Sequence, residues 1–211
     1  PDCFKELVAV NALSRPGPLH AGGTTSYIER RHGREKIVSV HPLLDEVTKD
    51  TYGIVVYQEQ VMMAVRNIGK FDWKDVSAIR TAISKKYGDE YFSRKQDEFV
   101  AGATSQGMSK AIAEKIWKNV CTFGSWAFNL SHSVAYSVMA YQLMWLKTYY
   151  PNEFYAGAIG CENDAEKKRR LVKEFVANGG TLLPVDVNLS GIELTGELQG
   201  VRLGLDAVTG L

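Results

Sequence analysis

Long apolar runs are missing from this 211-residue chain, and so is a leading stretch that passes from cationic to apolar to small residues. Neither a membrane span nor a secretory leader is therefore expected. Cysteine is scarce: Cys3, Cys121 and Cys161 are odd in number, far apart and outside any CxxC or Cys/His metal spacing. They read as reduced thiols of a cytoplasmic protein rather than as a disulfide framework or a zinc site. An excess of one charge sign is also absent, since 25 Lys and Arg face 24 Asp and Glu for a net +1. With 45% hydrophobic residues this is the balance of a globular chain, not of a disordered tail. There is no GxxxxGK[ST] loop, no HExxH and no GxSxG, so a P-loop hydrolase, a zinc protease and a serine esterase all lack their parts. No two aspartates stand at i, i+2 on a strand, so a two-metal phosphoryl-transfer site has no evident ligands and the metal set is empty. No repeat or low-complexity segment occurs. The chain opens at Pro1 rather than Met and stops at Leu211 in mid-pattern, which reads as a piece of something longer.

What is present centres on Gly124 to Tyr149, GSWAFNLSHSVAYSVMAYQLMWLKTY. A Gly- and aromatic-rich turn gives way to an apolar helix near Ser131-His132, with Asn129 or Ser131 as N-cap. Val134, Val138, Tyr141, Trp145 and Tyr149 recur at three- and four-residue steps, so one face of this helix is expected to be buried. Its N-terminus would favour an anion such as a phosphate. The plain alternative is a core helix that begins with a satisfied histidine.

Around this stretch the chain reads as mainly α. A helix capped by Asp2 runs to Leu13, and Arg15-Pro-Gly-Pro18 is expected to be a rigid turn. Short helical segments follow at Tyr27 to His32 and at Leu43 to Thr48. Tyr57 to Ile68 is a helix ended by Gly69 as its left-handed residue. Asp72 caps Trp73 to Ile83, then come Asp89 to Ser105, Ser109 to Thr122, Asn152 to Gly160, and a basic helix capped by Asn163 or Asp164 that buries Leu171, Val172, Phe175 and Val176. Beyond it, Thr181 to Leu183, Ile192 to Leu194 and Val201 to Leu205, with Gly196 and Gly200 bounding a turn, signal a small β-hairpin.

Four constellations could carry chemistry. Arg80, Lys85 and Lys86 lie within one or two turns of each other and could neutralise a triphosphate, although a solvated basic helix end explains them as well. Asn129-Leu-Ser131-His132 is the second. In Tyr57-Gln-Glu-Gln60, Gln58 or Gln60 could hydrogen-bond a base or sugar. Arg15 counts only if it leaves the Pro-Gly-Pro corner to face a phosphate. Arg30, Arg31, Arg34 and Lys36 against Glu29 and Glu35, and Lys167 to Arg170, are basic clusters compatible with a polyanion.

Six segments occur here in the order and spacing of the C-family replicative DNA polymerases, the family of the bacterial DNA polymerase III alpha subunit. They are RPGPL at Arg15 to Leu19, IERRHGR at Ile28 to Arg34, DTYGIVVYQEQVM at Asp50 to Met62, the Arg80 to Lys86 block, FGSWAFNLSHSVAYSVMAYQ at Phe123 to Gln142, and LKTYYPNEFYA at Leu146 to Ala156. The resemblance covers essentially the whole chain. It implies a helical fingers domain with three parts: residues 1–52 leaving the palm, residues 53–160 the helical fingers, and residues 161–211 a helix and small β region leading towards a tandem helix-hairpin-helix. It implies binding of the incoming dNTP by Arg80, Lys85, Lys86, Asn129, Ser131 and His132. DNA template-primer contact is implied through Arg15, Arg30, Arg31, Arg34, Lys36 and Gln58.

Mg2+ would be bound by palm aspartates upstream of Pro1, so the chain alone is expected to be inactive. Palm half, sliding clamp and other replisome subunits are the implied partners. Thr81 in place of a second arginine, Leu130 in place of a lysine, Ser84 in place of a glycine and Trp126 in place of a smaller aromatic-glycine pattern mark a divergent member, such as a phage-encoded one. The alternative reading is a non-catalytic helical DNA-binding or interaction module that uses Glu166 to Val176 and Arg30 to Lys36. A decayed or split fragment needing its upstream half to fold is a third.

Overall fold

The computed structural model describes residues 1–85, 87, 89–124, 126–208 and 210. In chain order the helices are α1 (Phe4–Leu13), α2 (Pro16–His20), α3 (Gly23–Arg31), α4 (Pro42–Thr48), α5 (Gln58–Gly69), α6 (Trp73–Ser84), α7 (Asp89–Thr104), α8 (Lys110–Gly124), α9 (Leu130–Tyr149), α10 (Pro151–Cys161) and α11 (Ala165–Ala177). Three short strands follow, β1 (Leu182–Leu183), β2 (Thr195–Glu197) and β3 (Gly200–Arg202). The mainly-α fold with a small C-terminal β region is thus the observed one. Among the described residues no helix is long and apolar enough to cross a membrane.

Two compact units are present, Pro1–Ser137 and Val138–Leu211. In the first, Val61, Ala64, Val65 and Ile68 of α5 are buried with Val76 and Ile79 of α6, Phe99 and Ala103 of α7, and Ile116 and Val120 of α8. A second cluster packs Val8, Ala9, Ala12 and Leu13 of α1 against Tyr27, Ile54, Val56 and Tyr57. The caps are local. Asp72 accepts from Asp75 N–H at 2.8 Å, and His41 from Leu43 N–H at 3.3 Å.

In the second unit, Tyr155, Ala156 and Ile159 of α10 enclose Phe175 of α11 and Val201 of β3. Asp164 caps α11, accepting from Glu166 and Lys167 N–H groups. Val176, expected inside, is 50% exposed, because the buried face centres on Phe175 one residue earlier. The hairpin is there, but Gly196 lies within β2 instead of bounding the turn. A Cβ on it would come 2.8 Å from the backbone nitrogen of Glu153, so the residue is needed where α10 presses on the strand. β3 is central, antiparallel to β2 and parallel to β1, with Leu182 opposite Val201.

Other expectations change for identifiable reasons. Asp2 does not cap α1; its carboxylate binds Arg31 instead. Arg15-Pro-Gly-Pro18 starts the short helix α2, since prolines in a first turn sit where no N–H bond is required. Gly69 stays helical, and the left-handed residue is Lys70 at φ 60°.

The largest departure is α9. Of its residues Ser133 and Ser137 are buried, whereas Val134, Val138, Tyr141, Trp145 and Tyr149 are 36–65% exposed. The helix is apolar on all sides, so its period does not single out a buried face. The small serine edge is what reaches the core, Ser133 donating its hydroxyl to Val8 C=O at 2.7 Å.

Candidate functional site

The site is assembled where the extended segment before α5 meets the segment before α9. Phe128 N–H donates to Val56 C=O at 2.9 Å, and Gln58 N–H donates to Phe128 C=O at 2.9 Å. These two bonds clamp Phe128 beside Val56–Gln58. Gln60 makes the clamp rigid from below. Its Oε1 accepts from Val56 N–H at 2.8 Å and Tyr57 N–H at 3.0 Å, while its Nε2 donates to Val47 C=O at 3.2 Å and Thr51 Oγ1 at 2.7 Å. All four hydrogen-bonding positions of a buried amide are used. Gln60 therefore holds backbone in place and is not free to read a base or sugar, whereas Gln58 is half-buried at the surface. Burial pushes the neighbouring Tyr57 phenol up, so it keeps its proton.

Aromatic and cationic groups stack on Phe128. The Arg15 guanidinium lies 4.4 Å from the ring centroid. His132 meets the ring edge-on with centroids 5.3 Å apart, and Tyr136 lies 4.5 Å beyond His132. Arg15 thus leaves the corner at α2 and joins the site. Trp126 lies against the small residues of that corner, its Cβ 2.9 Å from where a Cβ on Gly17 would be. On the other flank, Arg80 of α6 lines a shallow depression with Gln58, Val61, Met62 and Ile83. Ile79 and Ile83 anchor α6 in the core, which turns Arg80 outward. Lys85 is exposed at the end of α6, and Lys86 lies outside the described residues.

The start of α9 is already occupied. Asn129 is the N-cap, its Oδ1 accepting from His132 N–H at 2.9 Å and Ser131 hydroxyl at 2.6 Å. Glu59 Oε2 accepts from Leu130 N–H at 3.0 Å. The expected anion at this helix end is supplied by the chain's own carboxylate, from a residue 71 positions away in sequence. Ser131 and His132 remain exposed beside it.

Arg30, Arg31 and Arg34 do not join this site with open charges. Arg30 pairs with Glu35 at 2.7 Å, and Arg34 grips both oxygens of Glu29 at 2.7 Å. Arg31 binds Glu6 at 2.7 Å and also Asp2. Lys36 is exposed without an ion pair among the described residues.

Bonds from Arg31, the Asp2 N–H and the Tyr52 hydroxyl hold the Glu6 carboxyl down to about 2. A depressed carboxylate contributes stability above its unfolded value of 4.5, which is lost as pH falls towards 2. Glu6→Gln is expected to lower the midpoint of thermal unfolding at pH 7 and to flatten its decline across that window. An unaltered decline in the variant would refute the linkage.

Sequence reasoning missed Glu59, Phe128 and Tyr136, and misread Gln60. Only Gln60 left a local signal, a glutamine three residues past the N-cap of α5, as in half of a capping box.

A family model described as the bacterial DNA polymerase III alpha subunit finger domain matches residues 1–107. The DNA polymerase III subunit alpha of Halalkalibacterium halodurans is 40% identical over 206 residues, 97% of this chain and 18% of that protein. That of Aquifex aeolicus is 38% identical over the whole chain and 18% of its own length. The Vibrio cholerae protein is 37% identical over the whole chain and 19% of its length. The chain thus spans less than a fifth of the relatives it matches. It belongs to the family of the bacterial DNA polymerase III alpha subunit, a replicative DNA polymerase, and carries that subunit's finger domain.

Proposed function

We propose that this chain holds an incoming dNTP against template-primer DNA, as the fingers part of a DNA-directed DNA polymerase. The observation that carries the reading is the meeting of Gln58 and Arg80 in one depression, next to the stack of Arg15, Phe128 and His132. Arg80, followed by Lys85 and Lys86, faces the triphosphate through charge-assisted hydrogen bonds. Asn129, Ser131 and His132 border the nascent base pair, and Arg15 and Gln58 lie on the DNA side. Because Glu59 and Asn129 already engage the first amides of α9, phosphate charge is met by side-chain cations and not by a bare helix end.

A metal such as Mg2+ would supply charge neutralisation and a nucleophilic primer oxygen in such a polymerase. Among the described residues no group of three or more His, Cys, Asp or Glu could hold one. Glu59, a carboxylate of the site, is spent on Leu130 N–H. These residues do not fit a metal, and no step through one is assigned to the chain. The palm half, carrying the metal ligands, is proposed to lie in the longer polypeptide. The uncovered apolar surface of α9 fits packing against that remainder. Contact with a sliding clamp and other replisome subunits would lie outside this chain. The exposed thiols of Cys3 and Cys161 suit a reducing cytoplasm.

Titrating the folded chain with labelled dNTP tests the reading. A charged hydrogen bond contributes about 1.5–3 kcal/mol, so Arg80→Ala is expected to weaken nucleotide binding about 10- to 100-fold while duplex affinity changes far less. Unchanged nucleotide affinity overturns it, and primer extension by the purified chain would show that metal ligands lie within it. The second reading, a non-catalytic DNA-binding module, is favoured by the open cations of α11. Under it, Arg80→Ala would only make the salt dependence of DNA binding shallower.

A further inference from the structure

We propose that the outer face of α11 is a contact surface for the sugar–phosphate backbone of duplex DNA, a role distinct from that of the Arg80 depression. The inference rests on the polymerase reading only in its choice of DNA as the polyanion; the surface itself is argued from charge and packing.

Two basic clusters look alike in the sequence and differ in the structure. Each arginine of the Arg30–Arg34 cluster is held by a carboxylate of the chain, leaving little charge for a partner. On α11, Lys167, Lys168, Arg169, Arg170 and Lys173 make no ion pair among the described residues, and all but Lys168 are exposed. The acid that could have quenched this helix from within, Glu174, is drawn away to Lys147.

The helix is fixed in orientation. Phe175 is 1% exposed, with Leu171 and Val172 packed beside it. At 100° per residue, Arg169, Arg170 and Lys173 fall within an arc of about 100° on the opposite side, spaced over roughly 6 Å of helix. Three cations, two of them planar forks, are thereby presented together on a rigid rod, as phosphate contacts require. The apolar face that an interfacial helix would place in lipid is already consumed by the core of its own unit, which favours a duplex over a membrane surface as the partner.

Fluorescence anisotropy of a labelled duplex against the full chain, over a salt series, is the test. Each phosphate contact contributes about 0.9 to the slope of log affinity on log salt. The triple variant Arg169→Gln/Arg170→Gln/Lys173→Gln is expected to make that slope shallower by about 2–3, and Arg34→Gln to leave it unchanged. Glu166→Gln, which removes a carboxylate from the same outer face, is expected to tighten duplex binding, a gain no misfolded variant would produce. An unchanged slope in the triple variant overturns the proposal, as does binding to poly-glutamate as tight as binding to the duplex. The triple variant should still bind dNTP like the parent. Loss of the Arg80 effect with an intact α11 effect would sink the polymerase reading alone, and the reverse pattern would sink only the α11 surface.

Discussion

Gln60→Leu is expected to destabilise the fold by about 3 kcal/mol or more, an amount far larger than most surface polar substitutions produce. The side chain volume is nearly kept, so the cost is not a cavity. It comes from two backbone N–H groups, those of Val56 and Tyr57, whose acceptor disappears while their residues stay 1% and 7% exposed. Each buried unsatisfied group costs about 1–3 kcal/mol, and Val47 C=O and Thr51 Oγ1 lose a donor as well. Urea unfolding of variant and parent measures the difference; a loss under about 1 kcal/mol would mean that water or a shifted backbone replaces the amide.

Gln60→Glu separates the two ends of the amide. Its carboxylate can still accept from Val56 and Tyr57, but now sets an oxygen against Val47 C=O. Ionisation is disfavoured there, so the folded pKa of the new carboxyl would be raised, and the variant's deficit relative to the parent should grow as pH rises from the acid side to neutrality. The deficit of Gln60→Leu should not follow pH. Since Val56 and Gln58 clamp Phe128, both variants should also loosen the stack that Arg15 and His132 form on that ring.

Why Gln60 escaped a reading of the sequence is instructive. Local chemistry was legible: Asp72, Asp164 and Asn129 stand at helix starts because a cap and its partners are two or three residues apart. The helix period was legible along α5, where Val61, Val65 and Ile68 stand four and three residues apart and lie in the core. What sequence spacing could not carry was pairing over distance. The partner of Arg31 is Glu6, and the cap of Leu130 is Glu59, so neither the neutralisation of the basic cluster nor the filled end of α9 has a local signature. A polar Gln60 beside Gln58 suggests a group open to a base or sugar, although a fully bonded amide can be buried without penalty. The period of α9 was present, but on a helix with apolar residues on every side it carries no direction, and the two serines decided which edge meets the core. Arg80, Gln58 and Arg15 stood in three separate constellations in the sequence, and the packing of α5 and α6 in one core is what brings Gln58 and Arg80 to one depression.

The same core supplies the other large effect through the close approach of α5 and α7, and there one substitution changes sign with its surroundings. Adding a methyl group at Gly102 of α7 would put a Cβ 2.0 Å from the carbonyl oxygen of Gly69 and 2.5 Å from its carbonyl carbon. These are backbone atoms of α5 and cannot rotate away. Gly69 is itself closed in, since a Cβ there would lie 2.5 Å from the Phe99 ring and 2.7 Å from Phe71. Gly102→Ala must therefore push α5 and α7 apart, opening the contacts of Phe99 and Ala103, both 0% exposed. Overpacking a dense core costs about 1–3 kcal/mol and more when the obstacle is backbone, so a loss of about 3 kcal/mol or more is expected.

In α10 the same change runs the other way. Gly157 and Gly160 are exposed helical positions with nothing within 4 Å of a new Cβ. Alanine there restricts the unfolded chain and favours the helix, for a gain of about 0.5–1 kcal/mol at each site. Denaturant unfolding of the three single variants decides the matter, and a tolerated alanine at Gly102 would show that the close approach of the two helices is not what holds them. The functional consequence is equally specific. Gln58 opens the helix that Gly69 closes, and Arg80 rides on the neighbour of that helix. Gly102→Ala, in a residue that lines none of the described site, should therefore weaken nucleotide binding together with stability, whereas Gly157→Ala should raise stability and leave nucleotide binding where it was.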